Sequence, residues 1–242
     1  MPLRSSPSRV ALVSITSALA LNLAGCGGGS HGSSDVTATD AQVIADVTSS
    51  NIQASYGAGF NLNATWRWQG TPQPTVTVYI PPPSSTDANQ QTYASEAQTT
   101  VATINRKLAG LLVLQAVTTQ PTSGNYIEVS YGTAYVPPGS TDYASYCSNV
   151  STAPYSGTPI YPDANANIAP VPVYVNLGNG HCDVTQDIVT HEFGHALALS
   201  NHFNGFGYGP SISTAFWDVL ATLYGNPPLT ASSNLKVVRA AP

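Results

Sequence analysis

Five residues late in the chain, His191-Glu192-Phe193-Gly194-His195, constrain it more than any other feature. Histidines at positions i and i+4 of an α-helix stand one above the other on one face, close enough to hold one metal ion. The glutamate lies beside the first histidine. A water activated by that ion would be within its reach, so the pattern joins a Lewis-acid site to a general base. About 0.001 such matches are expected by chance in this composition. His191 and His195 are therefore predicted metal ligands on a helix, and Glu192 the proton acceptor. Ile188, Val189, Ala196, Leu197 and Leu199 would bury that helix. Asp183, three residues before Gln186, has capping-box spacing and predicts a start near residue 184. Asp187, one turn before His191, is either a hydrogen-bond partner that orients a ligand or a solvated acid.

A third ligand can be sought by enumeration, because only 8% of the 242 residues are charged, against about a quarter in an average domain. After His195 the ionisable candidates are His202 and Asp218, and no Glu follows. His202 would lie about 10.5 Å up a continuing helix, too far to share the ion. It qualifies only if the helix stops and the chain turns back. Ser200-Asn201 offers the stop, and Asn204, Gly205, Gly207 and Gly209 favour reversal. Asp218 belongs to a predicted helix over residues 214–223 and would reach the ion from there. Both remain candidates, with the turn favouring His202. The seven basic residues are too few for a phosphate-binding face, so no nucleic-acid partner is expected.

The N-terminus reads as an address. Arg4 and Arg9 precede an apolar run over residues 10–23, short for a membrane span. Leu23-Ala24-Gly25-Cys26 resembles the bacterial lipobox, which implies cleavage after residue 25 and lipid on Cys26. The chain is thus expected as signal peptide 1–25, lipidated cysteine and flexible tether 26–37 (with His31 in the Gly/Ser-rich part), one domain over 38–230, and a tail 231–242. With Cys26 lipidated, Cys147 and Cys182 remain, and an isolated pair in an exported protein predicts one disulfide. The expected location is a bacterial envelope, lipid-anchored, at the outer membrane or cell surface rather than the inner membrane.

Elsewhere, residues 40–47 predict a short helix after Thr39. Residues 75–80, 125–131 and 172–177 are β-branched and aromatic and predict strands. Trp66 and Trp68, at period-two spacing, are expected to pack on one face of the first sheet segment. Residues 92–114 carry the longest helical pattern, and the Ser/Tyr/Gly/Pro-rich residues 137–163 a long loop. Strand, helix, strands, helix gives an α+β expectation: a mixed twisted sheet packed on a long helix and the HExxH helix, with a short C-terminal helix.

His191 to His202, HEFGHALALSNH, resembles the metzincin pattern HExxHxxGxxH, most closely the matrixin branch, and the element order from Trp66 to Tyr224 is similar. The resemblance implies a zincin-like fold with Zn2+ held by His191, His195 and His202. It also implies Glu192 polarising the attacking water, Tyr208 as a possible fourth contact, and a protein or peptide substrate extended along a sheet edge, for which residues 171–177 are the candidate. A monomeric zinc endopeptidase follows. The chain departs from the pattern at three places. Ala198 stands where the helix-ending glycine is expected, Asn201 occupies the expected third-histidine position, and no methionine turn is possible because Met1 is the sole methionine. Ile212 is the candidate for the apolar floor instead. No cysteine-switch propeptide is visible. Two other readings stay open: a zinc-binding envelope lipoprotein without turnover, and a zinc hydrolase outside the family that uses Asp218.

Overall fold

The computed structural model describes residues 35–54, 62–209 and 211–242; Cys26, the expected signal peptide and most of the expected tether lie outside them. The order is α1 (Asp40–Val47), β1 (Thr75–Tyr79), α2 (Ala88–Lys107), β2 (Val113–Val117), β3 (Tyr126–Tyr131), β4 (Ser148–Ser151), β5 (Tyr161–Pro162), β6 (Ile168–Ala169), β7 (Val173–Leu177), α3 (Gln186–Ala196), β8 (Phe203–Asn204), β9 (Gly207–Tyr208) and α4 (Thr214–Gly225). Among the described residues the architecture is mixed α+β, with four α-helices and a five-stranded sheet in the order β2-β1-β3-β7-β4. Strands β2, β1, β3 and β7 run parallel, and β4 pairs antiparallel with β7 at the edge. Among the described residues no helix is long and apolar enough to cross a membrane.

Alternation in the strands sets the core. Val76 and Val78, Ile127 and Val129, and Val173 and Val175 are all buried, on the sheet face covered by α2 and α3. Helix α2 begins where the Asp87 carboxylate accepts from the backbone N–H groups of Asn89 and Gln90. Arg106 and Lys107 in its last turn complement the helix dipole. Its buried stripe includes Tyr93, Ala97, Val101 and Ile104. Helix α1 starts as expected at Thr39, whose hydroxyl accepts from the Gln42 N–H, and packs on α4.

Several expectations are corrected. The long helix ends at Lys107 rather than 114, because Gly110 takes a positive φ of 81° and residues 113–117 pair with β1. An apolar run at that point suits helix and strand equally. The expected loop 137–163 contains β4 and β5. Residues 171–177 are not the edge: β7 is one strand in, and β4 is outermost. Trp66 and Trp68 lie outside any strand, since residues 62–74 form none, and both are buried in the core cluster that also holds Val76 and Val78. A buried indole N–H needs an acceptor. Trp68 finds it in Ala196 O at the end of α3, 2.9 Å, and Trp66 in Asn51 O, 2.9 Å.

The two ends of the described chain close onto α4. Asp35 accepts from Thr214 N, 2.7 Å, and Ala215 N donates to Val36 O, 2.8 Å. Arg239 bridges Asp40 and Asp218, and Leu235 is buried. The tail 231–242 thus lies against the domain. The predicted disulfide is present: Cys147 and Cys182, 5.8 Å apart at Cα, join the start of β4 to the segment before α3.

Candidate metal centre

Helix α3 is capped by Thr185, whose hydroxyl accepts from Ile188 N, not by Asp183. Gln186 is the first helical residue, and its amide reaches Glu96 O and the Thr100 hydroxyl instead of turning back. The helix ends at Ala196, earlier than the expected stop at Ser200-Asn201. Ala198 turns the chain with φ 80°, a left-handed conformation that costs a non-glycine residue roughly 1–2 kcal/mol. Its methyl is fully buried, and Asn51 Nδ2 donates to its carbonyl, 2.9 Å. Ala198 therefore holds a backbone conformation that favours glycine.

That turn folds the chain back and brings His202 to the other two histidines. The Nε2 atoms of His191 and His195 are 3.0 Å apart, those of His191 and His202 3.0 Å, and those of His195 and His202 3.2 Å. Among the described residues these three form the one His/Cys/Asp/Glu group able to hold a metal ion. Asp218 is elsewhere. Its carboxylate takes Arg239 Nη1 at 2.7 Å and Ala240 N at 3.0 Å.

The donor chemistry suits a cation. Nδ1 of His195 faces Leu199 O at 2.5 Å and Nδ1 of His191 faces Ser211 O at 3.4 Å. A carbonyl can only accept, so these rings carry their proton on Nδ1 and present a bare lone pair at Nε2. Burial, then the neighbouring rings, holds His191 well below the ordinary histidine range. The same causes push His195 down to about 3, and burial lowers His202. Three imidazoles thus bring their Nε2 atoms to one point, two of them with the lone pair bare. Ring nitrogens sharing a tetrahedral ion at ~2.05 Å would stand about 3.3 Å apart, slightly wider than the spacing seen. The residues fit a tetrahedral, nitrogen-preferring ion such as Zn2+.

Glu192 is buried, and its Oε1 accepts from the Ser148 hydroxyl at 2.7 Å. Ser148 opens the edge strand β4, and the disulfide fixes its neighbour Cys147. The acid beside the trio is therefore tied directly to the sheet edge. Asp187 is exposed and orients no ligand. Tyr208 is 58% exposed, its ring edge-on to His202 with centroids 5.6 Å apart. Ile212 is half-buried against the core, while the ring lying against the trio is that of Phe206.

Ser148 and Phe206 escape sequence reasoning because neither belongs to a local pattern. Gly207 carried a signal, read as a turn: a Cβ there would stand 2.6 Å from the His202 ring. No family model matches the chain and no curated protein matches it in sequence, so its function is to be read from these side chains themselves.

Proposed function

We propose that this protein is a zinc-dependent endopeptidase with a zincin-like, metzincin-type arrangement, anchored to a bacterial envelope through lipid on Cys26. The observation that carries the reading is the convergence of the His191, His195 and His202 Nε2 atoms beside a buried Glu192 hydrogen-bonded to an edge strand. When bound, the ion would supply a Lewis acid for the scissile carbonyl and lower the pKa of water toward ~7. Glu192 takes the proton of the attacking water and returns it to the departing amine. Ser148 keeps one carboxylate oxygen engaged, which leaves the carboxylate a single orientation. β4 pairs with β7 on one side only, so an extended peptide can add to its other side as a further strand.

A chain of residues 27–242, purified and assayed on casein or gelatin, tests this. One zinc per chain with cleavage is expected, and Glu192→Gln keeps the zinc and loses the cleavage. No zinc, or a cleaving Glu192→Gln, refutes the reading. Stoichiometric zinc without cleavage by the natural sequence would favour a binding lipoprotein.

A further inference from the structure

The three imidazoles share a neighbour. Phe206 is fully buried, and its ring stacks on His191 at 4.3 Å and 25°, meets His195 at 5.0 Å and 58°, and meets His202 edge-on at 5.5 Å and 80°. Its far side stacks on Phe216 of α4, 5.1 Å and 25°. Two glycines make room for this stack. A Cβ at Gly194, inside the helical motif, would stand 2.7 Å from Phe216 and 2.9 Å from Phe206. A Cβ at Gly207 would strike the rings of His202 and His191.

We propose that Phe206 is the positioning residue of the metal centre, a flat floor that sets the planes of all three ligand imidazoles before an ion arrives. The inference rests on the metal-binding part of the function proposed above and is independent of peptide hydrolysis.

An imidazole rotates about its Cβ–Cγ bond unless its second nitrogen or its face is held. Metal-binding histidines are usually held by a hydrogen bond from that second nitrogen, often to a carboxylate. Here the His191 bond is long, 3.4 Å to a carbonyl, near the limit at which a hydrogen bond orients its donor. The ring with the longer Nδ1 bond is the one Phe206 stacks on face to face. Interlocked aromatic faces have preferred offsets and tilts, so a rigid ring held by Phe216 transmits the position of α4 to the ligands on α3. A leucine would fill much of the volume but offers no plane.

The test measures binding of Zn2+ and Co2+ alone, by competition with a chromophoric chelator, and the visible spectrum of the Co2+ form. Phe206→Leu is compared with Phe206→Met, a second chance at a folded variant, and with Phe203→Leu. Phe203 is buried and touches Phe206 at 5.3 Å, but none of the three histidine rings stacks on it. Phe206→Leu is expected to weaken both ions about 10–100-fold and to change the intensity of the Co2+ bands. Phe206→Met should follow in the same direction. Phe203→Leu should lower the melting temperature of the metal-free protein and leave affinity and spectrum at the natural values. Natural affinity and spectrum in the folded Phe206 variants, or an equal loss in Phe203→Leu, would overturn the proposal. So would a natural sequence that binds neither ion, which also defeats the metal centre. Metal binding without peptide cleavage defeats the peptidase reading alone and leaves Phe206 its role.

Discussion

Replacing Gly207 by alanine should remove the metal while sparing the fold, and Gly209→Ala is its matched control. Both glycines have left-handed backbones, φ 78° and 77°. Alanine costs roughly 1–2 kcal/mol at each for that conformation, which lowers a melting temperature by a few degrees in a domain of this size. They differ in what the new methyl meets. At Gly207 it would stand 2.6 Å from Cγ and Cδ2 of His202 and 3.0 Å from Cε1 of His191; at Gly209 its nearest neighbour is Asn204 Oδ1 at 3.3 Å. Carbon atoms rest about 3.5 Å apart, so the His202 ring must retreat by roughly 0.9 Å. A ligand bond tolerates about 0.2 Å. Gly207→Ala should therefore lose His202 as a ligand and weaken Zn2+ binding at least about 100-fold, the upper end for deleting even an outer partner. Chelator competition gives the affinity, and thermal melts of the metal-free forms give the common backbone cost. Equal zinc affinity in the two variants would refute the reasoning, because it would mean that His202 is not held against Gly207 at the metal.

Three further outcomes follow from the same structure. Asp218→Asn should lower stability by about 1–3 kcal/mol in denaturant titrations, since Arg239 and the Ala240 N–H lose a charged acceptor, while zinc content stays unchanged. Removing the disulfide, as a Cys147→Ser and Cys182→Ser double variant, opens a loop with 35 residues of sequence separation. The chain-entropy relation gives about 3.8 kcal/mol for it, measurable as a shift in urea midpoint that reductant reproduces in the natural sequence. The metal-free protein should lose stability as pH falls below 6.5. The unfolded histidines take up protons there, whereas the buried His191, His195 and His202 resist, and for His195 the loss continues toward about pH 3. Unfolding free energy measured between pH 7 and 4 in chelator checks the sign, and a flat profile would contradict it.

What could be read from the sequence divides along a physical line. Strands β1, β3 and β7 are runs such as Thr75–Tyr79, whose β-branched alternation is a property of the segment itself. β4, with the sequence SNVS, has one β-branched residue, and it is a strand because β7 offers it a partner. β2 is hidden in the helix pattern because Leu111 to Leu114 are apolar in either structure, and the break at Gly110 carries no periodicity. The same division runs through the site. His191, Glu192 and His195 sit at helical spacing and announce themselves, and His202 follows from a short roster of ionisable residues and a turn. Phe206 and Ser148 act across tertiary contacts, from a loop and an edge strand, and no spacing encodes either. The cap is ambiguous in sequence for a related reason: Asp183 and Thr185 both suit the start of α3, and the hydroxyl of Thr185 is the one within reach of Ile188 N.

The central claim, that His191, His195 and His202 hold one ion beside Glu192, is tested most directly by anomalous diffraction at the zinc edge from crystals of zinc-loaded residues 27–242. A single strong peak bonded to the three Nε2 atoms at about 2.0–2.1 Å is expected, with the Asp218 carboxylate still on Arg239. A peak bonded to Asp218, or no peak among the three histidines at saturating zinc, would contradict it.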